Sequence, residues 1–296
     1  MIIVLAGASG LIGTALKSAL REDGHDLRVL VRRDPTAADE QRWQPGQRDL
    51  APEVMSGADA VVNLSGASID GRRWTDSYKR ELLDSRLGAT NTLVDAILAA
   101  GDQAPATLLS GSAVGYYGDT GDQIVDESQP VGTGFLADVC RRWEAAAARA
   151  DGRTRVVFQR TGLVLSRRGG LLGRLRPLVK AGLGGKVGSG RQFQPWIALP
   201  DYLAATRFLL DADVRGAVNL TGPAPVRQEE FVAEMGRILR RPTVVPAPGF
   251  AVRVALGGLA DEGVLVGQRA VPAVLETAGF RFTYPTLSAA LTWALE

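Results

Sequence analysis

The apolar positions of this chain fall into two alternating rhythms. Met1-Ile2-Ile3-Val4-Leu5-Ala6 is an unbroken apolar run of strand length, and Leu11, Ile12, Ala15, Leu16, Ala19 and Leu20 then fall on one face of a helix. After the polar stretch Glu22-Asp23-Gly24-His25, the segment Asp26-Leu27-Arg28-Val29-Leu30-Val31 returns to strand character. The alternation continues. Asp59 to Leu64 reads as a buried strand, Leu87, Thr90, Leu93, Val94, Ile97 and Leu98 as a helix face, and Pro105 to Ser110 as the next strand. A helix over Phe135 to Ala150 turns Leu136, Val139, Cys140, Trp143 and Ala147 inward, and Arg155 to Arg160 follows as a strand. Strands buried on both faces and separated by helices predict an α/β fold, a doubly wound parallel sheet whose ligands sit at the strand carboxyl ends.

Beyond residue 165 glycines accumulate (Gly169, Gly170, Gly173, Gly182, Gly184, Gly185, Gly188, Gly190) and the rhythm breaks. Tyr202 to Leu210 reads as a helix and Ala217 to Thr221 as a last sheet strand. The expected organisation is a nucleotide domain over 1–165, re-entered at about 196–222, with 166–195 and 223–296 forming a smaller C-terminal substrate lobe. Phe250 to Leu256 is expected as a helix packed on that lobe.

The turn between the first strand and the first helix carries the sharpest chemistry. Gly7, Gly10 and Gly13 are spaced Gly-x-x-Gly-x-x-Gly, with Ser9, Leu11 and Ile12 between them. Side chains at Gly7 or Gly10 would hold a pyrophosphate away from the N–H groups of the helix amino end, where the dipole favours an anion, and Gly13 lets the helix sit close on the sheet. Strand, glycine turn, helix and strand arrive in order within about thirty residues, the Rossmann arrangement of a dinucleotide clamp. At the end of the second strand an acidic residue would hold the ribose hydroxyls of NAD, but Arg32 and Arg33 stand there instead. Charge-assisted hydrogen bonds from these arginines to a 2′-phosphate would favour NADP over NAD, so the expected cofactor is NADP(H).

Composition narrows the class further. With 34 basic against 32 acidic residues, a net charge of +2 and no basic block, no electrostatic footprint for nucleic acid or an anionic membrane is present. One cysteine excludes an internal disulfide, and with one histidine, His25 in a turn away from the strand ends, neither histidine catalysis nor a zinc cluster is available. No segment approaches the length of a membrane span, and the expected location is the cytoplasm. The acidic loop Asp119, Asp122, Asp126 and Glu127 reads as solvated rather than as a metal site, so no metal is expected.

Three stretches, the glycine triplet, Asn63-Leu64-Ser65-Gly66 and Ser110-Gly111-Ser112-Ala113-Val114-Gly115-Tyr116-Tyr117-Gly118, resemble the extended short-chain dehydrogenase/reductase superfamily. Arg73-Trp74-Thr75, Leu83-Asp84-Ser85-Arg86, Arg160-Thr161-Gly162-Leu163-Val164-Leu165 and Gly188-Ser189-Gly190-Arg191-Gln192 narrow the resemblance to an atypical subgroup. This is the NAD-dependent epimerase/dehydratase-like group that closes with a small uncharacterised domain, resembled here from about Pro223. The resemblance covers nearly the whole chain. It implies cofactor contacts along the strand ends, at Leu64, Ser65, Gly66, Ser110, Gly162 and Leu163, with Arg86 beside them.

The superfamily's Tyr-x-x-x-Lys pair is missing. Leu136 and Cys140 stand at those positions, and neither can exchange a proton with a carbonyl or hydroxyl as the tyrosine does. By resemblance, Ser112 matches the serine that hydrogen-bonds the reacting oxygen, and Tyr116 is the candidate replacement proton donor. Arg73, Trp74, Tyr117, Gln194 and Trp196 are the expected substrate contacts. Arg73 or Arg86 is suited to bind a carboxylate or phosphate bidentately. The subgroup's usual Trp-Ile-His-x-Asp-Asp reads Trp196-Ile197-Ala198-Leu199-Pro200-Asp201 here, so no role of its histidine carries over. The expected function is an NADP(H)-dependent oxidoreductase or epimerase acting on a small hydroxyl- or carbonyl-bearing substrate. The alternative is an NADP(H)-binding sensor without turnover.

Overall fold

A computed structural model describes all residues, 1–296, and sets seven parallel strands in one sheet. These are β1 (Ile2–Ala6), β2 (Asp26–Val31), β3 (Glu40–Arg42), β4 (Ala60–Asn63), β5 (Thr107–Ala113), β6 (Arg155–Thr161) and β7 (Gly216–Leu220), in spatial order β7-β6-β5-β4-β1-β2-β3. The helices are α1 (Leu11–Glu22), α2 (Asp76–Ala99), α3 (Phe135–Ala148), α4 (Gly170–Lys180), α5 (Leu199–Asp211), α6 (Gln228–Leu239), α7 (Gly249–Leu256), α8 (Ala273–Thr277) and α9 (Leu287–Leu295). Strand order reverses between β1 and β4, so the loops leaving these two neighbours run to opposite faces and open a crevice at the carboxyl edge.

Each central strand is buried on both faces, which is why its sequence is continuously apolar. Ile3 and Leu5 of β1 pack with Leu16 and Leu20 of α1 and with Tyr202, Ala205 and Leu209 of α5. Val4 and Ala6 face the other way, onto Leu93, Val94 and Ile97 of α2 and Ala147 of α3. Leu11, expected on the apolar face of α1, is 38% exposed and lies along Gly169 and Gly170 at the start of α4.

Two polar side chains fasten the sheet and α5 to their neighbours. Arg155 donates from its guanidinium to the carbonyls of Leu209, Leu210 and Val214 at 3.0, 2.8 and 2.8 Å, closing the carboxyl end of α5. Asp201 is the acid that survives in the altered Trp-Ile-Ala-Leu-Pro-Asp stretch. Its carboxylate accepts the Thr283 and Tyr284 N–H groups at 2.7 and 2.9 Å and ties the C-terminal segment to α5.

A separate core forms where Leu172 and Val179 of α4, Phe231, Val232 and Met235 of α6 and Leu287 and Leu291 of α9 meet around Trp196. Trp196, an expected substrate contact, is instead 1% exposed, and its indole N–H donates to the Ala224 carbonyl at 2.9 Å. It is a packing residue. The helix expected over Phe250 to Leu256 forms as α7, though Phe250 and Val254 remain exposed. No helix is long and apolar enough to cross a membrane.

Candidate active site

The three clamp glycines answer to different causes. A Cβ at Gly13 would lie 2.1 Å from the Gly7 carbonyl oxygen, and one at Gly7, where φ is +85°, would lie 2.6 Å from the Leu64 carbonyl group. Those two are required by the fold itself. Gly10 is not: it has an ordinary φ of −75°, and a Cβ there would meet nothing nearer than 3.7 Å. It is also the N-cap of α1, with no side chain closing the helix end and no acidic residue in the first turn. Ser9, Gly10 and Leu11 are exposed, so the first-turn N–H groups open onto the crevice uncompensated.

Four buried polar atoms lack any hydrogen-bond partner: the hydroxyls of Ser65, Ser110 and Thr221 and the side-chain carbonyl oxygen of Gln159. They belong to the carboxyl halves of β5 and β6 or to the residues just beyond β4 and β7. Orphaned polar atoms are costly, by roughly 1–3 kcal/mol each, and these four gather toward the carboxyl edge of the parallel sheet. Gly162, in contrast, is fixed by packing, since a Cβ there would lie 2.2 Å from the Pro195 carbonyl oxygen. Leu163 comes next, pairing its backbone with Trp196.

Arg86 is the most unusual group here. Its side chain comes up from α2 against Gly66, whose Cβ would lie 3.1 Å from the guanidinium carbon, and stands 5.1 Å from the centre of the Trp143 ring. The residue is 8% exposed, and its one hydrogen bond runs to the Leu82 carbonyl at 2.8 Å. No carboxylate pairs with it. Burial pulls its pKa below the usual arginine value, yet guanidinium remains charged at any physiological pH. Cys140 lies close by. Burial, reinforced by Glu144, pushes its thiol up to about 11, which leaves it an inert core group.

Ser112 and the paired tyrosines are joined by a network the sequence did not announce. The Ser112 hydroxyl donates to Glu144 at 2.6 Å, and Glu144 takes both Nε and Nη2 of Arg160 at 2.9 Å. Arg160 also donates to the Tyr117 hydroxyl at 2.9 Å, and that hydroxyl donates to Asn219 at 2.8 Å. The flat face of Arg160 lies 3.5 Å from the centre of the Tyr116 ring. Tyr117, expected to touch substrate, is thus a buried link between β7 and the serine loop. Tyr116 is half-buried, and its hydroxyl makes no hydrogen bond within the chain. Two signals for this network were available: a charged Arg160 closing an apolar strand, and Glu144 on the inward face of α3, four residues after Cys140 and three before Ala147.

Burial raises the Tyr117 and Tyr202 phenols to about 12. A phenol held neutral in the fold contributes stability that is complete below pH 10 and is lost as pH rises through 12, roughly 2–3 kcal/mol for each. Absorbance titration of the folded protein is expected to show two of its five tyrosines ionising only near pH 12, coincident with unfolding. Five phenols titrating together near pH 10 in a folded protein would contradict this.

The outer wall departs from expectation in part. Arg33 is paired with Glu40 through two hydrogen bonds of 2.8 and 2.5 Å, whereas Arg32 is exposed and unpaired. Trp74 is buried with its indole N–H on the Ile69 carbonyl at 2.7 Å, Gln194 is half-buried in a two-residue strand beside Val226, and Arg73 stands exposed. The acidic loop is not wholly solvated: Glu127 accepts the Asn219 N–H at 2.9 Å and the Val274 N–H at 3.3 Å. No group of three or more potential metal ligands exists.

Residues 3–221 match the model of the NAD dependent epimerase/dehydratase family, and residues 247–294 match a domain of unknown function, DUF1731. The chain belongs to the NAD-dependent epimerase/dehydratase family. Among relatives of this family, epimerase family protein Mb2239 of Mycobacterium bovis is 48% identical over 295 residues, covering 99% of this chain and 97% of the relative. The crystal structure of human epimerase family protein SDR39U1 (isoform 2) with NADPH superposes at a TM-score of 0.92 with 33% identity, covering 100% of this chain and 99% of that one. MoeE5 in complex with UDP-glucuronic acid and NAD, at 19% identity and a TM-score of 0.77 over 98% of this chain and 96% of its own, shares the fold. The atypical epimerase/dehydratase resemblance read from the motifs is therefore the family of the chain.

Proposed function

We propose that this protein binds NADP(H) in the crevice between β1 and β4 and uses it as an oxidoreductase or epimerase on a small hydroxyl- or carbonyl-bearing substrate. The observation that carries this reading is the bare amino end of α1, where Gly10 leaves a space that packing does not need. The relative crystallised with NADPH supports the same group. When bound, the cofactor supplies hydride transfer at its nicotinamide C4.

The chain's own residues supply the rest. The turn Gly7-Ala8-Ser9-Gly10-Leu11-Ile12-Gly13 would present N–H groups to the pyrophosphate. Ser65, Ser110 and the backbone at Leu64, Gly66, Gly162 and Leu163 would line the floor, where the two serine hydroxyls lack partners. Arg86, a buried cation beside Cys140, would donate to ribose or phosphate oxygens in the region where the family lysine is missing. The Ser112 hydroxyl donates to Glu144, itself paired with Arg160, so Ser112 offers the cleft lone pairs and would accept from a substrate hydroxyl. Tyr116 keeps the unengaged hydroxyl and would hold or move the proton at the reacting oxygen.

Two experiments test this. Calorimetric titration is expected to give tighter binding of NADPH than of NADH, with Arg32→Ala removing about tenfold of that preference and Arg33→Ala less, because Arg33 is shared with Glu40. Equal affinities for both dinucleotides would overturn the choice. With any carbonyl metabolite that is reduced, Tyr116→Phe is expected to lower turnover at least a hundredfold, at the low end of general acid–base catalysis, and unchanged turnover would remove Tyr116 from the mechanism.

A second reading is favoured by one observation, the conversion of both Tyr-x-x-x-Lys positions to Leu136 and Cys140 with Ser112 tied to Glu144. In it, the chain holds NADP(H) as a sensor. Incubation with NADPH and a metabolite extract separates the two: an enzyme consumes NADPH and changes a metabolite by two hydrogens, and a sensor returns it intact.

A further inference from the structure

We propose that Arg73 and Lys79, where they meet beside Gly257-Gly258, form an anchoring site for the carboxylate or phosphate group of the substrate. The proposal rests on the reading of the cleft as a nicotinamide-dependent active site and adds the class of molecule it takes. Arg73 lies on the loop before α2, Lys79 on the second turn of α2, and the two glycines on the C-terminal segment that crosses in front of them, with Gly257 bridged to Trp74.

The two cations converge on one short stretch of main chain. Nε of Arg73 would be 3.3 Å from a Cβ at Gly257, and Nζ of Lys79 would be 3.7 Å from a Cβ at Gly258. Gly257 is the C-cap of α7, with a φ of +60° and its N–H on the Arg253 carbonyl at 2.8 Å, so the two cations stand at the carboxyl end of that helix. Neither cation has an ion-pair partner, although their neighbour Arg72 takes Glu81 at 3.4 Å. Lys79 is half-buried and holds its ammonium group 5.3 Å from the centre of the Phe135 ring rather than in open solvent. Two acids stand nearby without pairing to either: Asp76 opens α2, and Glu262 accepts the Leu136 N–H at 3.2 Å.

Location gives this charge its meaning. Phe135, Leu136 and Leu259 gather around Trp74 and Tyr78 to make an apolar wall beside the cations. Leu136, which stands where the family tyrosine would act, packs its Cβ 3.4 Å from the Cβ position of Gly115, the residue before Tyr116. An anionic head held by Arg73 and Lys79 would set its carbon body beside this apolar wall. Bidentate guanidinium and point-charge ammonium suit a carboxylate and a phosphate alike.

Inorganic phosphate and acetate are the probes, titrated into the ¹⁵N-labelled full chain at constant ionic strength and followed at the Gly257 and Gly258 amides and the Trp74 indole. Saturable shifts are expected at millimolar probe. Arg73→Gln/Lys79→Gln should raise the apparent Kd at least tenfold, and Arg72→Gln should leave it unchanged. No saturable shift, or the same Kd in the double variant, overturns the anchoring site. A separate NADPH titration distinguishes the two readings: loss of NADPH binding defeats the cofactor assignment whatever phosphate does, and NADPH binding without a phosphate response defeats the anchor alone.

Discussion

Replacing Gly10 with aspartate is expected to leave the fold as stable as before, or firmer by roughly a few tenths of a kcal/mol, while weakening NADPH binding at least a hundredfold. The two effects have opposite signs because the position serves the ligand and not the chain. Gly10 has the extended backbone of an N-cap, φ −75° and ψ 172°, which aspartate adopts without strain, and its carboxylate would satisfy first-turn N–H groups that now lack partners. The same carboxylate would occupy the pyrophosphate position with like charge. Gly13→Ala is the counterpart: with only 2.1 Å between the new Cβ and the Gly7 carbonyl oxygen, it should destabilise the fold and binding together. Denaturant unfolding and calorimetry of both variants check the contrast. A Gly10→Asp protein that unfolds early, or binds NADPH as the parent does, would sink it.

Arg160→Met should cost about 3–5 kcal/mol of stability, the largest loss expected from any single polar side chain here. Arg160 and Glu144 have side chains 5% and 10% exposed, so removing the guanidinium strands a buried carboxylate and leaves the Tyr117 hydroxyl short of a donor. Converting Glu144 to leucine as well removes the stranded charge, and the double variant should recover at least half the loss in urea unfolding. Full destabilisation in the double variant would mean that the network's worth lies in Ser112, Tyr117 and their neighbours rather than in the ion pair.

Much of the nucleotide half was legible because its strands are buried on both faces. Apolar runs at Ile2–Ala6 and Ala60–Asn63, and the helix face ending at Leu20, fix strand and helix without help from distant contacts. β3 escaped notice because Glu40-Gln41-Arg42 is a polar edge strand, ordered by pairing with β2. Helix α4 was hidden by the glycines at its start and by Pro177 within it, and its burial depends on α6 and α9 far along the chain. The glycine turn and the basic pair Arg32 and Arg33 could be read from spacing. The engagement of Arg33 by Glu40, of Ser112 by Glu144 and of Tyr117 by Asn219 could not, since each partner arrives through the fold. Trp196 misled for the same reason: an aromatic in a loop-like stretch looks like a cleft wall until α6 and α9 close over it.

The outermost strand on one side of the sheet, Gly216–Leu220, is made after the chain has passed through α4 and α5. During translation, a nascent chain ending before residue 216 has Arg155–Thr161 as a bare parallel edge and Tyr117 without its Asn219 acceptor. The glycine turn is synthesised well before this strand, so the carboxyl edge of the sheet beside it is completed late.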